Sequence, residues 1–158
     1  MSHHPLSKKS FIGFTLLEML IVIAIIGILA TLAIPTYQTH LNKTKFTEIV
    51  LATAPYKTAI ASCALQEGMI TNCVNGANGA GQYGIPPAIA NSPNIRSYIK
   101  SMVVNAVDAN HVQIVASSQH IGSDNMSYTY IITGEYGSNG QITWRKDENS
   151  SCVTHGIC

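Results

Sequence analysis

Charged residues are scarce in this sequence, and neither sign predominates. Lys, Arg, Asp and Glu make up 11% of the 158 residues, with 9 basic against 8 acidic side chains. Lys8 and Lys9 precede a long apolar run, so the chain beyond them has one more acidic than basic residue. A nucleic-acid-binding domain normally carries a basic excess. Direct DNA binding is therefore not expected.

The basic residues beyond the apolar run also fail to form a patch. Arg145-Lys146 is followed at once by Asp147-Glu148, and we expect the two carboxylates to cancel most of the local positive field. The remaining lysines of this kind are spread along one segment, at Lys43, Lys45 and Lys57.

Signatures of catalysis are missing as well. The sequence has no G-x-S-x-G motif and no phosphate-binding loop, and the adjacent carboxylates Asp147-Glu148 are typical of a solvated turn. The histidines beyond the N-terminal residues are scattered, at His40, His111, His120 and His155. We expect no enzymatic activity and no cofactor.

What the sequence does have is hydrophobic residues, at 46%, many of them between Phe14 and Ile34. This run of roughly 20 residues is about long enough to span ~30 Å of hydrocarbon as a helix. One carboxylate, Glu18, lies at its start. Because Lys8 and Lys9 precede the run, the positive-inside rule predicts a cytoplasmic N-terminus and export of everything after Pro35.

A conventional signal peptide is an alternative interpretation of the same residues. The small side chains of Ala30 and Ala33 are compatible with cleavage just before Ile34, which would release a soluble secreted protein. Two features oppose this alternative: the run is longer than a usual signal-peptide core, and Glu18 would interrupt such a core.

The polar sequence that follows keeps a helical stripe of apolar residues to about Gln66. Joined to the apolar run, it predicts one helix of roughly 50 residues. Gly27 weakens this helix and two prolines, Pro35 and Pro55, each remove a hydrogen bond, so we expect bends near the prolines rather than a break. The stripe that should cover a core comprises Tyr37, Leu41, Ile49, Ala52, Tyr56, Ile60 and Cys63.

Beyond a loop between Glu67 and Ser97, the pattern changes to short alternating runs separated by turn residues. Four strands are predicted, at about 98–107, 111–117, 126–134 and 141–146, and short turns between them favour an antiparallel meander. One face of the sheet is apolar, as is one face of the helix. The predicted fold is α+β, with the second half of the long helix packed against a four-stranded antiparallel sheet.

Four cysteines lie on the side predicted to be exported, and an even number in an oxidising compartment indicates two disulfides. We favour the two local pairs, Cys63 with Cys73 and Cys152 with Cys158, because each closes a short loop beside a predicted element. A zinc site is the alternative, since Cys152, His155 and Cys158 have a C-x2-H-x2-C spacing, but no fourth ligand lies nearby. We expect no metal.

The stretch from Lys8-Lys9 through Gly13 and Phe14 to Glu18, with the apolar helix after it, resembles the start of a type IV pilin, most closely the type IVa subclass. The resemblance is strong from Gly13 to about Tyr37. It implies a leader of residues 1–13, cleavage after Gly13 by a membrane-embedded prepilin peptidase, and methylation of the new amine of Phe14. It further implies an assembly helix at 14–35 and a globular head at 36–158 with the pilin fold.

The resemblance also implies a function. Many copies would polymerise, with the Phe14 amine of one subunit meeting Glu18 of a neighbour, while the helix loosens between Gly27 and Pro35. The product would be a retractable surface fibre for adhesion, twitching motility or DNA uptake, extended by an assembly platform and ATPases below the inner membrane of a Gram-negative-type bacterium. Alternatives within the family are a minor pilin and a pseudopilin of a type II secretion system.

Overall fold

The protein is described here from a computed structural model that covers residues 13–75, 82–91, 97–122 and 126–158. The predicted leader lies outside these ranges except for Gly13, as do parts of the loop between Glu67 and Ser97. Two compact units divide between Tyr37 and Gln38. The main elements are α1 (Leu16–Ala52), α2 (Ala54–Glu67), β1 (Ile99–Ala106), β2 (His111–Ser118), β3 (Thr129–Tyr136), β4 (Ile142–Lys146) and the short α3 (Ser151–Thr154).

The first unit contains the apolar part of α1. Every large apolar side chain between Phe14 and Ile34 is exposed. This helix is long and apolar enough to cross a membrane. Helical structure continues through Pro35, and the hydroxyl of Thr36 donates to the carbonyls of Ala33 (2.8 Å) and Leu32 (3.3 Å). These side-chain bonds are additional to the backbone ladder, because the carbonyl that lacks a donor opposite Pro35 is that of Thr31.

The helix is interrupted at Thr53, two residues before Pro55. Thr53 keeps helical angles, but its N–H and its hydroxyl both donate to the carbonyl of Val50, at 3.2 and 2.7 Å. The turn is therefore tighter than an α-helix, and Pro55 lies in the first turn of α2, where a missing N–H costs nothing.

In the second unit, one side of α1 and α2 is buried. The predicted stripe is right for Ile49, Tyr56, Ile60 and Cys63 but wrong for Tyr37 and Leu41, which are exposed. The buried face begins instead at Phe46, which is completely inaccessible to solvent and meets the edge of the Tyr130 ring at a centroid distance of 6.3 Å.

The sheet is the predicted antiparallel meander, with strand order β1-β2-β3-β4. Along β2 and β3 every second residue is buried, and these residues join the helices in a single apolar core. The α+β prediction is confirmed. Residues buried on the helix-facing side include Met102, Val104, Val112, Ile114, Ala116, Tyr130 and Ile132.

The start of the third strand differs from the prediction. β3 begins at Thr129 rather than near Met126, which forms only an isolated bridge with Ile121. The backbone N–H of Tyr128 donates to the side-chain hydroxyl of Ser118 (2.7 Å). The N–H of Ser118 still donates to the carbonyl of Tyr128 (2.8 Å), so a side-chain hydroxyl replaces only one of the two backbone bonds here. The alternation of Met126 and Tyr128 with Ser127 and Thr129 had predicted a continuous strand.

Disulfides join Cys63 to Cys73 and Cys152 to Cys158, which are the two local pairs. The sulfurs of Cys152 and Cys158 are therefore not available as thiolate ligands, and the zinc alternative is set aside. Within the described residues no group of three or more His, Cys, Asp and Glu side chains is placed to hold a metal ion.

The two serines that precede the second disulfide, Ser150 and Ser151, form hydrogen bonds with β3. The N–H of Ile131 donates to Ser150 Oγ (3.0 Å), and the N–H of Thr129 donates to Ser151 Oγ (2.8 Å). Ser150 is completely buried, and its hydroxyl donates to the carbonyl of Asp147 (2.7 Å). These contacts were not predicted.

The β1–β2 turn is stabilised by Asp108. Its carboxylate accepts from the N–H groups of Asn110 (2.8 Å) and His111 (2.9 Å) and lies 2.8 Å from Nδ1 of His111. These contacts, led by the backbone bond to Asn110, lower the pKa of Asp108 because they favour the charged carboxylate.

Trp144 packs over a glycine on the neighbouring strand. Gly134 and Trp144 are direct partners in the β3–β4 register, and a Cβ added at Gly134 would lie 2.8 Å from Cζ3 of the indole. Nζ of Lys57, on α2, lies over the Trp144 ring at 5.6 Å from its centroid. Because Gly134 has no side chain, the indole can lie across it and contact Lys57 of α2.

We expect Gly134→Ala to lower the free energy of unfolding by about 1–3 kcal/mol, because the added methyl group pushes the indole away from Lys57. Thermal unfolding followed by circular dichroism would measure the loss. Trp144→Leu in the same chain removes the two closest contacts of the added methyl group and leaves Ile142 Cγ2 at 3.0 Å, so the alanine should cost less in that background. An equal cost in both backgrounds would show that the indole is not the reason.

Candidate assembly site at the start of the helix

The first turn of α1 is closed by a reciprocal pair of hydrogen bonds between Thr15 and Glu18. The N–H of Glu18 donates to Oγ1 of Thr15 (3.2 Å), while the N–H of Thr15 donates back to Oε2 of Glu18 (3.2 Å). This is a capping box, in which the residue before the helix and the third helical residue each satisfy the other's backbone N–H. Glu18 is therefore part of the local structure that starts the helix.

Both bonds to the carboxylate use the same oxygen. The hydroxyl of Thr15 also donates to Oε2 of Glu18, at 2.9 Å, so Oε2 accepts from two groups of Thr15. Within the described residues, Oε1 of Glu18 has no hydrogen-bonding partner. The carboxylate is thus held in position by one oxygen while the other remains open to a donor from outside the turn.

Gly13 and Phe14 precede the helix and are exposed, Phe14 with 68% of its surface accessible. Glu18 also lies in the first turn of α1, where the helix dipole favours a negative charge. The predicted cleavage and assembly residues are therefore neighbours around one exposed helix start.

The other predicted residues of the helix lie apart from this group. Gly27 is inside α1, and a Cβ built there has no atom within 4 Å, so no contact requires a glycine. It lowers helix propensity by ~1 kcal/mol relative to alanine. Pro35 lies further along α1, and Pro55 lies in the first turn of α2. Neither contributes to the site at the helix start.

Thr15 is the functional residue that the sequence reasoning overlooked. The pattern T-x-x-E immediately before an apolar run is a sequence-level sign of a capping box.

The segment that contains these residues matches a known family, and the whole chain resembles known proteins. The family described as "Prokaryotic N-terminal methylation motif" matches residues 8–34. The type IV pilus subunit protein TapA of Aeromonas hydrophila is 41% identical over 92% of this chain and 96% of its own length. The type IV major fimbrial protein FimA of Dichelobacter nodosus is 34% identical over 68% of this chain and 76% of its own length.

A further relative is the prepilin peptidase-dependent protein D of Escherichia coli K12, 40% identical over 58% of this chain and 56% of its own length. No solved structure matches the chain. The similarity to TapA spans both compact units and is not confined to the N-terminal motif.

We expect Thr15→Val to weaken the first turn of the helix by about 1 kcal/mol, because the valine side chain keeps the shape of threonine but can neither accept from the N–H of Glu18 nor donate to its carboxylate. Amide hydrogen exchange of residues 16–20, measured by NMR in detergent micelles, should then be about fivefold faster. Thr15→Ser retains the hydroxyl and serves as the matched control. Unchanged exchange in the valine variant would contradict the capping role.

Proposed function

Because this chain belongs to the type IV pilin family, we propose that it polymerises through its apolar N-terminal helix into a retractable fibre on the cell surface. The fibre would serve attachment, twitching motility or DNA uptake. The observation that carries the proposal is the exposed apolar half of α1, headed by a carboxylate with one open oxygen. The chain is a structural subunit, and its role in the fibre is that of a building block.

Processing would prepare the helix start for assembly. A membrane-embedded prepilin peptidase would remove residues 1–13 by cleavage after Gly13 and methylate the new amine of Phe14. The match of residues 8–34 to the methylation motif supports this step. So does the exposed, non-helical position of Gly13 and Phe14, since a peptidase needs an accessible bond outside a helix.

The cleaved subunit would carry a charged amine at Phe14, and the open oxygen of Glu18 is a suitable acceptor for the amine of a neighbour. Opposite charges about 4 Å apart attract by roughly 4 kcal/mol at an effective dielectric constant near 20. Loss of hydration offsets much of that attraction when both groups leave water. The main benefit would be registry, since only one axial position of an incoming helix brings amine and carboxylate together.

The capping box supports this assignment by removing an apparent conflict. A carboxylate that used both oxygens to cap its own turn would have none left for a neighbour. With Oε2 bound to Thr15 and Oε1 open, one side chain can do both. The competing arrangement is a pair between Glu18 and the amine of its own chain, which would give no registry.

The division of the chain follows from this mechanism. Residues 14–35 would anchor the precursor in the inner membrane and form the central bundle of the fibre, with residues 36–158 outside it. Loosening between Gly27 and Pro35 would help the helices pack. The open space around Gly27, where an added Cβ has no atom within 4 Å, supports this step. An assembly platform and ATPases would drive extension and retraction, and a minor pilin or a type II secretion pseudopilin would use the same helix start.

We expect Glu18→Gln to leave the subunit in the membrane but to reduce sheared fibres at least about tenfold, because glutamine keeps an acceptor without the charge that attracts the amine. Yield would be measured by electron microscopy and immunoblotting of sheared and membrane fractions. Glu48→Gln removes a carboxylate from the same helix outside the apolar half, so it should assemble normally. Normal fibres from Glu18→Gln would refute the role of the charge.

The subunit recovered from sheared surface material should begin at a methylated Phe14, with its mass reduced by the hydrogens lost in both disulfides. Intact-mass measurement under non-reducing conditions, with N-terminal sequencing, would show both. Gly13→Leu should remain at its uncleaved mass in the membrane, since the peptidase requires the small residue. A soluble chain that begins near Ile34 would instead establish the signal-peptide alternative.

A further inference from the structure

A cleft lies at the end of the second unit where α2 stops and two strand turns meet. Its volume is about 390 Å³, within the range of roughly 300–1,000 Å³ that is usual for small-molecule sites. We refer to it as the turn cleft. The described residues that line it are Gly68 after α2, Asn110 in the β1–β2 turn, and Tyr136, Gly137 and Ser138 at the end of β3 and the start of the β3–β4 turn.

The turn cleft lies at the opposite end of the sheet from the place where α1 enters the second unit. At that place Nζ of Lys45 lies 5.6 Å from the ring centroid of Tyr98, which directly precedes β1. Phe46 likewise meets the ring of Tyr130, near the start of β3. The cleft is formed beyond the other ends of β1 and β3, so these residues of α1 do not cover it.

Backbone bonds hold the polar lining residues in place. The carbonyl of Asn110 accepts from the N–H of Tyr136 (2.8 Å), which links the β1–β2 turn to the end of β3. The turn that carries Ser138 is closed by a bond from the N–H of Gly140 to the carbonyl of Gly137 (2.9 Å). A site whose groups are fixed beforehand loses less conformational freedom when a ligand binds.

Two polar side chains of the turn cleft are free to bond a ligand. Within the described residues, the side chains of Asn110 and Ser138 have no hydrogen-bonding partner. An asparagine amide offers donors and an acceptor, and a serine hydroxyl can act as either. The hydroxyl of Tyr136 donates to the carbonyl of Ala64 (3.4 Å), which anchors the half-buried ring. The cleft therefore combines free polar groups with a partly accessible aromatic ring.

The described residues that line the turn cleft include no charged side chain. The nearest carboxylates in the chain are used within the fold: that of Asp108 accepts from two backbone N–H groups, and that of Glu67 accepts from Nδ2 of Asn72 (3.4 Å). A charged ligand would therefore lose hydration without gaining a free counter-charge. An apolar ligand would leave the amide of Asn110 and the hydroxyl of Ser138 unpaired. A neutral ligand rich in hydroxyl groups avoids both costs.

We propose that the turn cleft binds a neutral hexose, with Asn110 and Ser138 bonding its hydroxyl groups and the Tyr136 ring contacting its C–H groups. Neighbouring sugar hydroxyls are both donors and acceptors, which matches the amide of Asn110. The face of an aromatic ring is negative and attracts C–H groups. The site belongs to the single subunit, so it does not depend on the fibre proposed above.

Binding would be tested on the full chain in micelles of a detergent without a sugar headgroup. The methyl glycosides of glucose, galactose and mannose would each be titrated while backbone amide shifts are recorded by NMR. We expect at least one of them to cause saturable shifts at Asn110, Tyr136 and Ser138, with a dissociation constant in the millimolar range. The matching uronate, which adds a carboxylate to the same ring, should bind at least about tenfold more weakly.

Variants locate the binding. Asn110→Ala keeps both backbone bonds of the turn and should weaken binding about tenfold, because the amide bonds are lost. Ser138→Ala should weaken it about fivefold for the same reason. Asn105→Ala is the matched control, since it makes the same change at an exposed position of β1 that does not line the turn cleft, and it should bind like the wild type.

Saturable shifts that need Asn110 would establish the site. Absence of a response to all three glycosides would overturn it, as would equal affinities of Asn110→Ala and Asn105→Ala. A uronate that binds as tightly as its hexose would overturn the assignment of a neutral ligand. Because the titration uses the single subunit, failure of the wild type to form fibres would refute the proposed function and leave this result standing.

Discussion

The constraint on which the structure depends is that half of its longest helix has no core of its own. Burying a single leucine or isoleucine gains about 1.5–3 kcal/mol, so the exposed apolar side chains between Phe14 and Ile34 represent on the order of tens of kcal/mol. A domain of this size is stable by only about 5–15 kcal/mol. The proposed function accounts for this exposed surface, because lipid and then other copies of the helix would cover it.

A carboxylate at the head of such a helix is acceptable only because of its immediate surroundings. Glu18 would cost roughly 3 kcal/mol at the centre of a bilayer, but its place in the first turn lets it use backbone and hydroxyl donors that have no other intrahelical partner. The partner, Thr15, costs the chain nothing extra, since a helix needs a cap in any case. Local helix chemistry and the proposed recognition of a neighbour therefore share one side chain.

Much of the fold could be predicted because its signals are local. Alternating residues and short turns were enough for the antiparallel strand order, and the short cysteine loops indicated the disulfides. The predictions were wrong where burial depends on contacts between residues that are distant in sequence. Tyr37 and Leu41 follow the same period as the buried residues but are exposed, whereas Phe46 is surrounded by polar residues in the sequence and is buried against Tyr130. The bonds between the serine hydroxyls and β3 likewise join residues about 20 positions apart in sequence. The capping box, in contrast, is a local pattern that was available and overlooked.

The edge strands of the sheet are partly covered, which affects how copies of this chain can associate. An unpaired edge strand is a template for sheet-to-sheet aggregation. Here Ile89 exchanges two backbone bonds with Met102 of β1, and the Ser150–Ser151 segment occupies the part of β3 that the short β4 leaves uncovered. β4 itself has only 5 residues and ends in Arg145 and Lys146. Pairing of sheets from different copies is therefore disfavoured, so association through the helix, as proposed above, would meet little competition from sheet-to-sheet contacts.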